Sequence, residues 1–346
     1  MGVLDVANAL RQWRRWLPVR RRPWAIGKTE AADARRLADA ERRSGGVPDG
    51  CAWLDDRTVD DLDLALVFRA IDRTVTPTGA QVLWRWLAAP AIRVDVLAAR
   101  ERSLARLAAR PARPDARVPQ LSTGAGAITA RGIVHPAIAG AVGNDVVLSP
   151  ALIVTGSNMS GKSTFLRAIA INAICAQSIH TTFGSWSAAL FRVFSVMRVV
   201  DATADGVSTY AVEVAAVGTL VEAAAKRDHG PPALFVIDEP FSGTNPVLRV
   251  PIVVSVLEYL SERDVVVAAT HDLEVAAQLD ARFARGYFFE PEHRGTRFDY
   301  KLRQGVSPAS NALALLVVAG YPPEIVAAVE RRAGVSWGEP VLPGPR

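Results

Sequence analysis

Thr155-Gly156-Ser157-Asn158-Met159-Ser160-Gly161-Lys162-Ser163-Thr164 is the stretch on which the reading of this 346-residue chain turns. Gly156 to Ser163 fits G-x-x-x-x-G-K-[ST], a phosphate-binding loop. The apolar run Ala151-Leu152-Ile153-Val154 precedes it, and a helix-like stretch from Phe165 to Ile179 follows. Strand, glycine-rich turn and helix together are the context such a loop requires. The glycines let backbone N–H groups of Gly156, Ser157, Asn158, Met159, Ser160, Gly161, Lys162, Ser163 and Thr164 converge on phosphate oxygens. The new helix adds the positive end of its dipole. Lys162 is placed to reach the β- and γ-phosphates, and Ser163 to ligate Mg²⁺.

Working outward, Ala233-Leu234-Phe235-Val236-Ile237 closes on Asp238-Glu239, a buried strand delivering two carboxylates. Asp238 suits Mg²⁺, and Glu239 suits polarising an attacking water; an acidic cap for the next helix is the plainer alternative. Val265 to Thr270 is a third apolar run, and His271 just past its end can hydrogen-bond a γ-phosphate or the attacking water. Asp205-Gly206-Val207-Ser208-Thr209 forms the mouth of a helix over Ala211–Glu222, with Ser208 as N-cap and a second small anion-binding terminus. Short apolar runs alternating with helical ones over 131–305 predict an α/β fold with a mostly parallel sheet. Ligands of such sheets collect at the carboxyl ends of the strands, where these polar residues fall.

The order of these four signals is that of the ABC-type ATPases, and their wording resembles the MutS branch, the DNA mismatch-repair ATPases. The phosphate loop carries the Asn158-Met159 insert of that branch, and Gly206 to Glu213 is similar to its Gly-x-Ser-Thr-Phe-x-x-Glu signature. Asp238-Glu239-Pro240-Phe241-Ser242-Gly243-Thr244-Asn245, Ala269-Thr270-His271 and His135-Pro136 match further family boxes. Asp72 to Leu83 looks like the family's opening core and lever helices, and Gln304 to Arg332 like its C-terminal helix pair. The resemblance implies an ABC-type P-loop NTPase core with a small all-helical N-terminal module and a C-terminal helix pair. It implies a head-to-tail homodimer binding ATP and Mg²⁺, in which Ser208 and Thr209 of one protomer approach the γ-phosphate held by the other. Lys162, Glu239 and His271 would be catalytic, and Ser163 and Asp238 would hold the metal.

The expected organisation is a basic segment over 1–50, a helical core- or lever-like module over 51–110 and a linker over 111–130. An ATPase domain over 131–305 and a C-terminal dimerisation segment over 306–346 complete it. The formal charge is +5, from 40 Lys and Arg against 35 Asp and Glu, and residues 1–30 hold the excess. There Arg11, Arg14, Arg15, Arg20, Arg21 and Arg22 interleave with Trp13, Trp16 and Trp24. Such a segment can grip nucleic-acid phosphates, lie on an acidic membrane surface, or be a solvated basic tail. Cys51 and Cys175 make neither a disulfide framework nor a metal site. No apolar run approaches the ~18 residues that span a bilayer, so a cytoplasmic protein with no membrane partner is expected.

Three departures from the family shape the functional expectation. No counterpart of its N-terminal mismatch-reading domain is recognised, and a linker of about twenty residues extends at most ~70 Å, too little for DNA-encircling arms. No aromatic occurs over 131–150, where the family often stacks adenine, which leaves base specificity open. The leading expectation is an ATP-gated dimer acting on mismatched or structured DNA. The alternative is a MutS-derived regulatory or scaffolding ATPase that does not touch DNA. A transport ATPase fits less well, because the Gly-x-Ser-Thr-Tyr wording and the missing membrane segment both disagree with it.

Overall fold

The computed structural model describes residues 46–72, 77–105, 115–122, 126–157, 160–197, 209–226, 230–288, 298–306 and 320–333. The three apolar runs become the middle of a six-stranded sheet: β5 (Ala151–Thr155), β9 (Ala233–Asp238) and β10 (Val265–Thr270), every residue of them buried. Strands enclosed on both faces need no polar alternation, which is why they read as continuous apolar runs. β10 lies between β5 and β9, parallel to both, with Thr270 beside Thr155 and Ala269 beside Asp238. β8 (Arg192–Val196) extends the parallel sheet beyond β9, and β11 (Phe283–Phe288) extends it beyond β5. β12 (Leu302–Gln304) closes the β11 side as an antiparallel edge.

Successive side chains point to opposite faces, so each face takes alternate residues. Leu152, Val154, Leu234, Val236, Val265, Val267 and Ala269 join one core, and Ala151, Ile153, Phe235, Ile237, Val266 and Ala268 join the other. Helices α6 (Thr209–Ala225), α7 (Pro246–Ser261) and α8 (Leu273–Gln278) cover the second face. α5 (Lys162–Ile179) covers the first, and fourteen of its residues are buried. A helix apolar almost all round is an interior helix.

α5 is interior because more chain lies outside it. One flank takes a four-stranded sheet of β2 (Gln120–Ser122), β7 (Ser185–Ala189), β3 (Ile128–Ile133) and β4 (Asn144–Leu148), in that order. β1 (Ala116–Arg117) pairs separately with β6 (Thr182–Phe183). The other flank takes the helices α1 (Asp56–Asp61), α2 (Leu64–Ile71), α3 (Pro77–Ala88) and α4 (Val94–Ala105). Leu62, Val67, Phe68, Trp84 and Leu87 share one core cluster with α5, and Phe68 meets Trp84 edge-on at 5.5 Å. Asp55 and Asp63 cap α1 and α2 through their side chains. Gln177 bolts this module to the rest. Its Nε2 donates to Ala91 O at 2.8 Å and Phe191 O at 2.9 Å, and its Oε1 accepts from Phe191 N at 2.9 Å.

One expectation needs correction. Residues 116–117 and 120–122, placed in a linker, are the strands β1 and β2, and the linker's last residues, 128–130, open β3. Their partners β6 and β7 lie more than sixty residues away, and pairing over such separations leaves no periodicity in a short polar stretch. Pro77 is the first residue of α3, where its missing N–H is tolerated. The basic segment lies outside the described residues apart from 46–50, and so do residues 307–319 of the expected C-terminal helix pair. Within that expected pair the described helix is α9 (Pro323–Ala333). No helix among the described residues is long and apolar enough to cross a membrane.

Candidate active site

β5 ends at Thr155, and the chain turns through Gly156 and Gly161 into α5. Both glycines have positive φ, 142° and 105°, a conformation that side chains strongly disfavour. A Cβ on Gly161 would lie 3.1 Å from the Tyr300 ring, and one on Gly156 would lie 3.0 Å from Ser160 Oγ. Lys162 opens α5 yet its side chain folds back over the loop and is buried. Its Nζ donates to Gly156 O at 2.6 Å and Ser157 O at 2.9 Å. Nζ also stands 3.3 Å from Glu239 Oε1, an ion pair without hydrogen-bond geometry. Ser160 N donates to Ser157 O at 3.3 Å, closing the loop on itself.

The carboxyl ends of the next two strands complete the cluster. Ser163 Oγ donates to Asp238 Oδ2 at 2.5 Å, while the buried Asp238 Oδ1 receives no hydrogen bond among the described residues. Burial pushes the Asp238 carboxyl up, with the neighbouring Glu239 charge adding and the Ser163 hydroxyl opposing. Glu239 sits at φ 51°, held there by its own N–H to Ala269 O at 2.9 Å. Its Oε2 accepts from His271 N at 3.2 Å and pairs with His271 Nδ1 at 2.8 Å. Burial alone would raise Glu239, but the His271 hydrogen bond and the charges of Lys162 and His271 outweigh it and hold the carboxyl below its ordinary value. The Glu239 hydrogen bond in turn raises half-exposed His271. At neutral pH the cluster therefore carries a deprotonated glutamate between two basic side chains.

Beside this cluster lies a cleft of about 650 Å³. Ser157, Gly161, Lys162, Ser163, Thr164, Asp238 and Glu239 all border it. The β3–β4 connection, including His135 and Ile138, lines it as well, as do Phe288 and Tyr300. Tyr300 escaped sequence reasoning because it reaches the loop from 144 residues beyond Gly156. The buried Asn144 fixes it there: Nδ2 donates to Tyr300 O at 3.0 Å, and Oδ1 accepts from Leu302 N at 2.7 Å.

A second omission is Glu213, read in the sequence only as part of a motif. It is buried on α6 and accepts from Ser242 Oγ at 2.7 Å and Gly243 N at 3.1 Å. It thereby ties α6 to the loop that follows Asp238-Glu239, in which Phe241 also has positive φ, 57°. Thr209 is the first residue of α6. Asn158, Met159 and Ser208 lie outside the described residues.

A sequence profile of MutS domain V matches residues 152–334. The chain belongs to the MutS family. The DNA mismatch repair protein MutS 2 of Haloarcula marismortui is 35% identical over 185 residues, 50% of this chain and 19% of that protein. The DNA mismatch repair protein MutS of Natronomonas pharaonis is 34% identical over 191 residues, 51% of this chain and 21% of that protein. That of Chloroflexus aurantiacus is 29% identical over 254 residues, 68% of this chain and 25% of that protein. The match thus spans about a fifth to a quarter of the length of these relatives. The MutS profile begins inside β5 and ends after α9, so it contains the loop, both carboxylates, His271 and Tyr300, whereas α1–α4 and β1–β4 precede it.

Proposed function

We propose that this MutS-family chain is an ATP-binding and ATP-hydrolysing protein, built on an ABC-type P-loop core over 131–305. One observation carries the reading. Lys162, Ser163, Asp238 and Glu239, from the carboxyl ends of β5 and β9, line a single cleft of nucleotide size, and His271, just past β10, is hydrogen-bonded to Glu239. In that reading the backbone of 156–164 cradles the phosphates. Lys162 exchanges the Gly156 and Ser157 carbonyls for phosphate oxygens. Glu239, deprotonated and held by His271, orients and polarises the attacking water, and His271 reaches the γ-phosphate. The exposed Tyr300 ring offers the base an apolar surface.

A divalent cation fits this donor set. Among the described residues Asp238 Oδ1 is buried without a hydrogen-bond donor, and Ser163 Oγ is already aligned with the same carboxylate. Hard oxygen donors of this kind suit Mg²⁺, which is held by one or two protein oxygens together with phosphate and water. Among the described residues no cluster of three or more His, Cys, Asp or Glu could hold a metal, and a Mg²⁺–nucleotide site needs none. Bound there, Mg²⁺ would offset charge on the transferred phosphoryl group.

The family resemblance extends the proposal to a head-to-tail homodimer. Ser208 and Thr209 of one protomer then complete the site of the other, and 306–346 supports the pairing. ATP closure of that dimer would set its affinity for mismatched or structured DNA, with the Arg/Trp segment over 1–30 gripping phosphates. The test is ATP turnover and binding by the wild-type chain and two variants, with homoduplex, mismatched and branched DNA at two salt concentrations. Glu239→Gln is expected to bind ATP and lower kcat by about 10²–10⁴-fold. Lys162→Ala is expected to lose ATP binding. Unchanged turnover in both variants would remove the ATPase assignment, and DNA binding that is absent or indifferent to salt would remove the DNA assignment.

A further inference from the structure

Arg167 lines the cleft, yet none of the proposed chemistry uses it. It stands on α5 roughly one and a half turns beyond Lys162. Its Nε donates to the main-chain oxygen of Asp61 at 2.8 Å, at the last residue of α1. Among the described residues this is the only hydrogen bond of the guanidinium, so the donors on both Nη atoms have no protein acceptor there.

Asp61 is held from the other side as well. Its Oδ2 accepts from Ser195 Oγ at 3.0 Å and from Met197 N at 2.9 Å, where β8 runs out. One turn earlier on α1, Thr58 Oγ1 accepts from Ser195 N at 2.9 Å. α1 is therefore clasped between α5 and the outgoing end of β8, and the residue gripping it from each side, Arg167 or Met197, borders the cleft. A six-residue helix has little stability of its own, so its position depends on these bonds and on the burial of Val59 and Leu62 in the core shared with α5.

We propose that Arg167 is the residue through which filling of the cleft reaches the α1–α2 helix pair. The ligand is an anionic phosphate group. Guanidinium–phosphate bonds are charge-assisted and stronger than the bond from Nε to a neutral carbonyl. Phosphate entering the cleft draws the guanidinium inward, the bond to Asp61 O weakens, and α1 loosens from α5 while Asp61 stays on β8. The two arrangements differ in contacts made by the ligand itself, which is what coupling between distant parts requires. The proposal rests on the nucleotide reading of the cleft and adds its route to the helical module.

Hydrogen–deuterium exchange on the whole chain, with and without saturating Mg²⁺ and a non-hydrolysable ATP analogue, tests it. In the wild type, amides of residues 55–63 are expected to exchange faster when the analogue is bound. Arg167→Gln is expected to weaken analogue binding by up to about tenfold and, at saturation, to lose that difference. Arg167→Lys keeps the charge but not the planar fork, and is expected to lose at least half of the difference. A full difference in either variant, or none in wild-type protein that binds the analogue, overturns the role of Arg167. Failure of the wild type to bind the analogue at all instead overturns the nucleotide reading beneath it.

Discussion

Replacing Glu213 should separate the geometry of the site from its chemistry, because Glu213 holds the loop beside the acid pair and does not border the cleft. Its carboxylate accepts two hydrogen bonds, from Ser242 Oγ and Gly243 N. Bonds to a charged partner contribute roughly 1.5–3 kcal/mol each, so the pair sums to about 3–6 kcal/mol. Gly243 is exposed and Ser242 half-buried, so water recovers part of this once the carboxylate is gone. The expected loss on Glu213→Ala is about 2–3 kcal/mol. Against it stand two non-glycine residues at positive φ, Glu239 and Phe241, each strained by roughly 1–2 kcal/mol. The strain and the restraint are of similar size. Without the restraint the loop should relax and carry Glu239 out of line, lowering kcat about tenfold or more while KM changes little. Glu213→Gln offers the control, since its amide oxygen still accepts from Gly243 N and its NH₂ can donate to the Ser242 hydroxyl. It should lose no more than about 1 kcal/mol. Urea titrations at constant m give the stabilities, and steady-state ATP turnover gives the rates. If the alanine variant stays within about 0.5 kcal/mol of wild type, or matches the glutamine variant, the reasoning fails.

Three further outcomes can be measured. His135 is buried, and its Nδ1 accepts from Ala137 N at 3.2 Å, so protonation would set two donors face to face. Burial, with the Arg167 charge, depresses its pKa below 6.5; the unfolded chain then binds the extra proton first, and stability should fall as pH drops below about 6.5, a slope that His135→Asn removes in urea midpoints taken from pH 7.5 to 5. Gln177→Leu strands the buried Ala91 and Phe191 backbone groups and should destabilise the chain by about 3–5 kcal/mol in the same titrations. Asp238→Asn should raise the Mg²⁺ concentration needed for half-maximal turnover by about tenfold or more, and an unchanged Mg²⁺ dependence would exclude Asp238 from the metal site.

The centre of the fold was legible because its physics is local. β5, β9 and β10 begin and end where their apolar runs do, since strands buried on both faces must be apolar throughout. The helix after the loop starts at Lys162 rather than Phe165, because the last loop residues already wind into its first turn. What escaped depends on partners remote in the chain. β1 and β2 are strands only because β6 and β7 receive them. Tyr300 reaches the loop through an Asn144 clamp that no spacing announces. Of the candidate site, the loop, the two carboxylates and His271 could be found from strand ends, and the structure brings them together. Glu213 stood out only as the last residue of a family motif and Arg167 not at all, because a carboxylate or guanidinium that acts through a neighbouring loop or helix looks like any other charge on a helix.

The register of β10 between β5 and β9 divides the sheet into two ends with different histories. At one end Thr155 stands beside Thr270 and Ala269 beside Asp238, so strand pairing brings together the chain ends from which the candidate site is built. At the other end Ala151, Leu234 and Val265 enter the sheet bearing no reacting group. Insertions, deletions and grafted domains can accumulate in connections at that end without shifting the chemistry, as surface connections in general allow. Appendages on that side can thus be exchanged while Ser163 and Asp238 keep their pairing at the other.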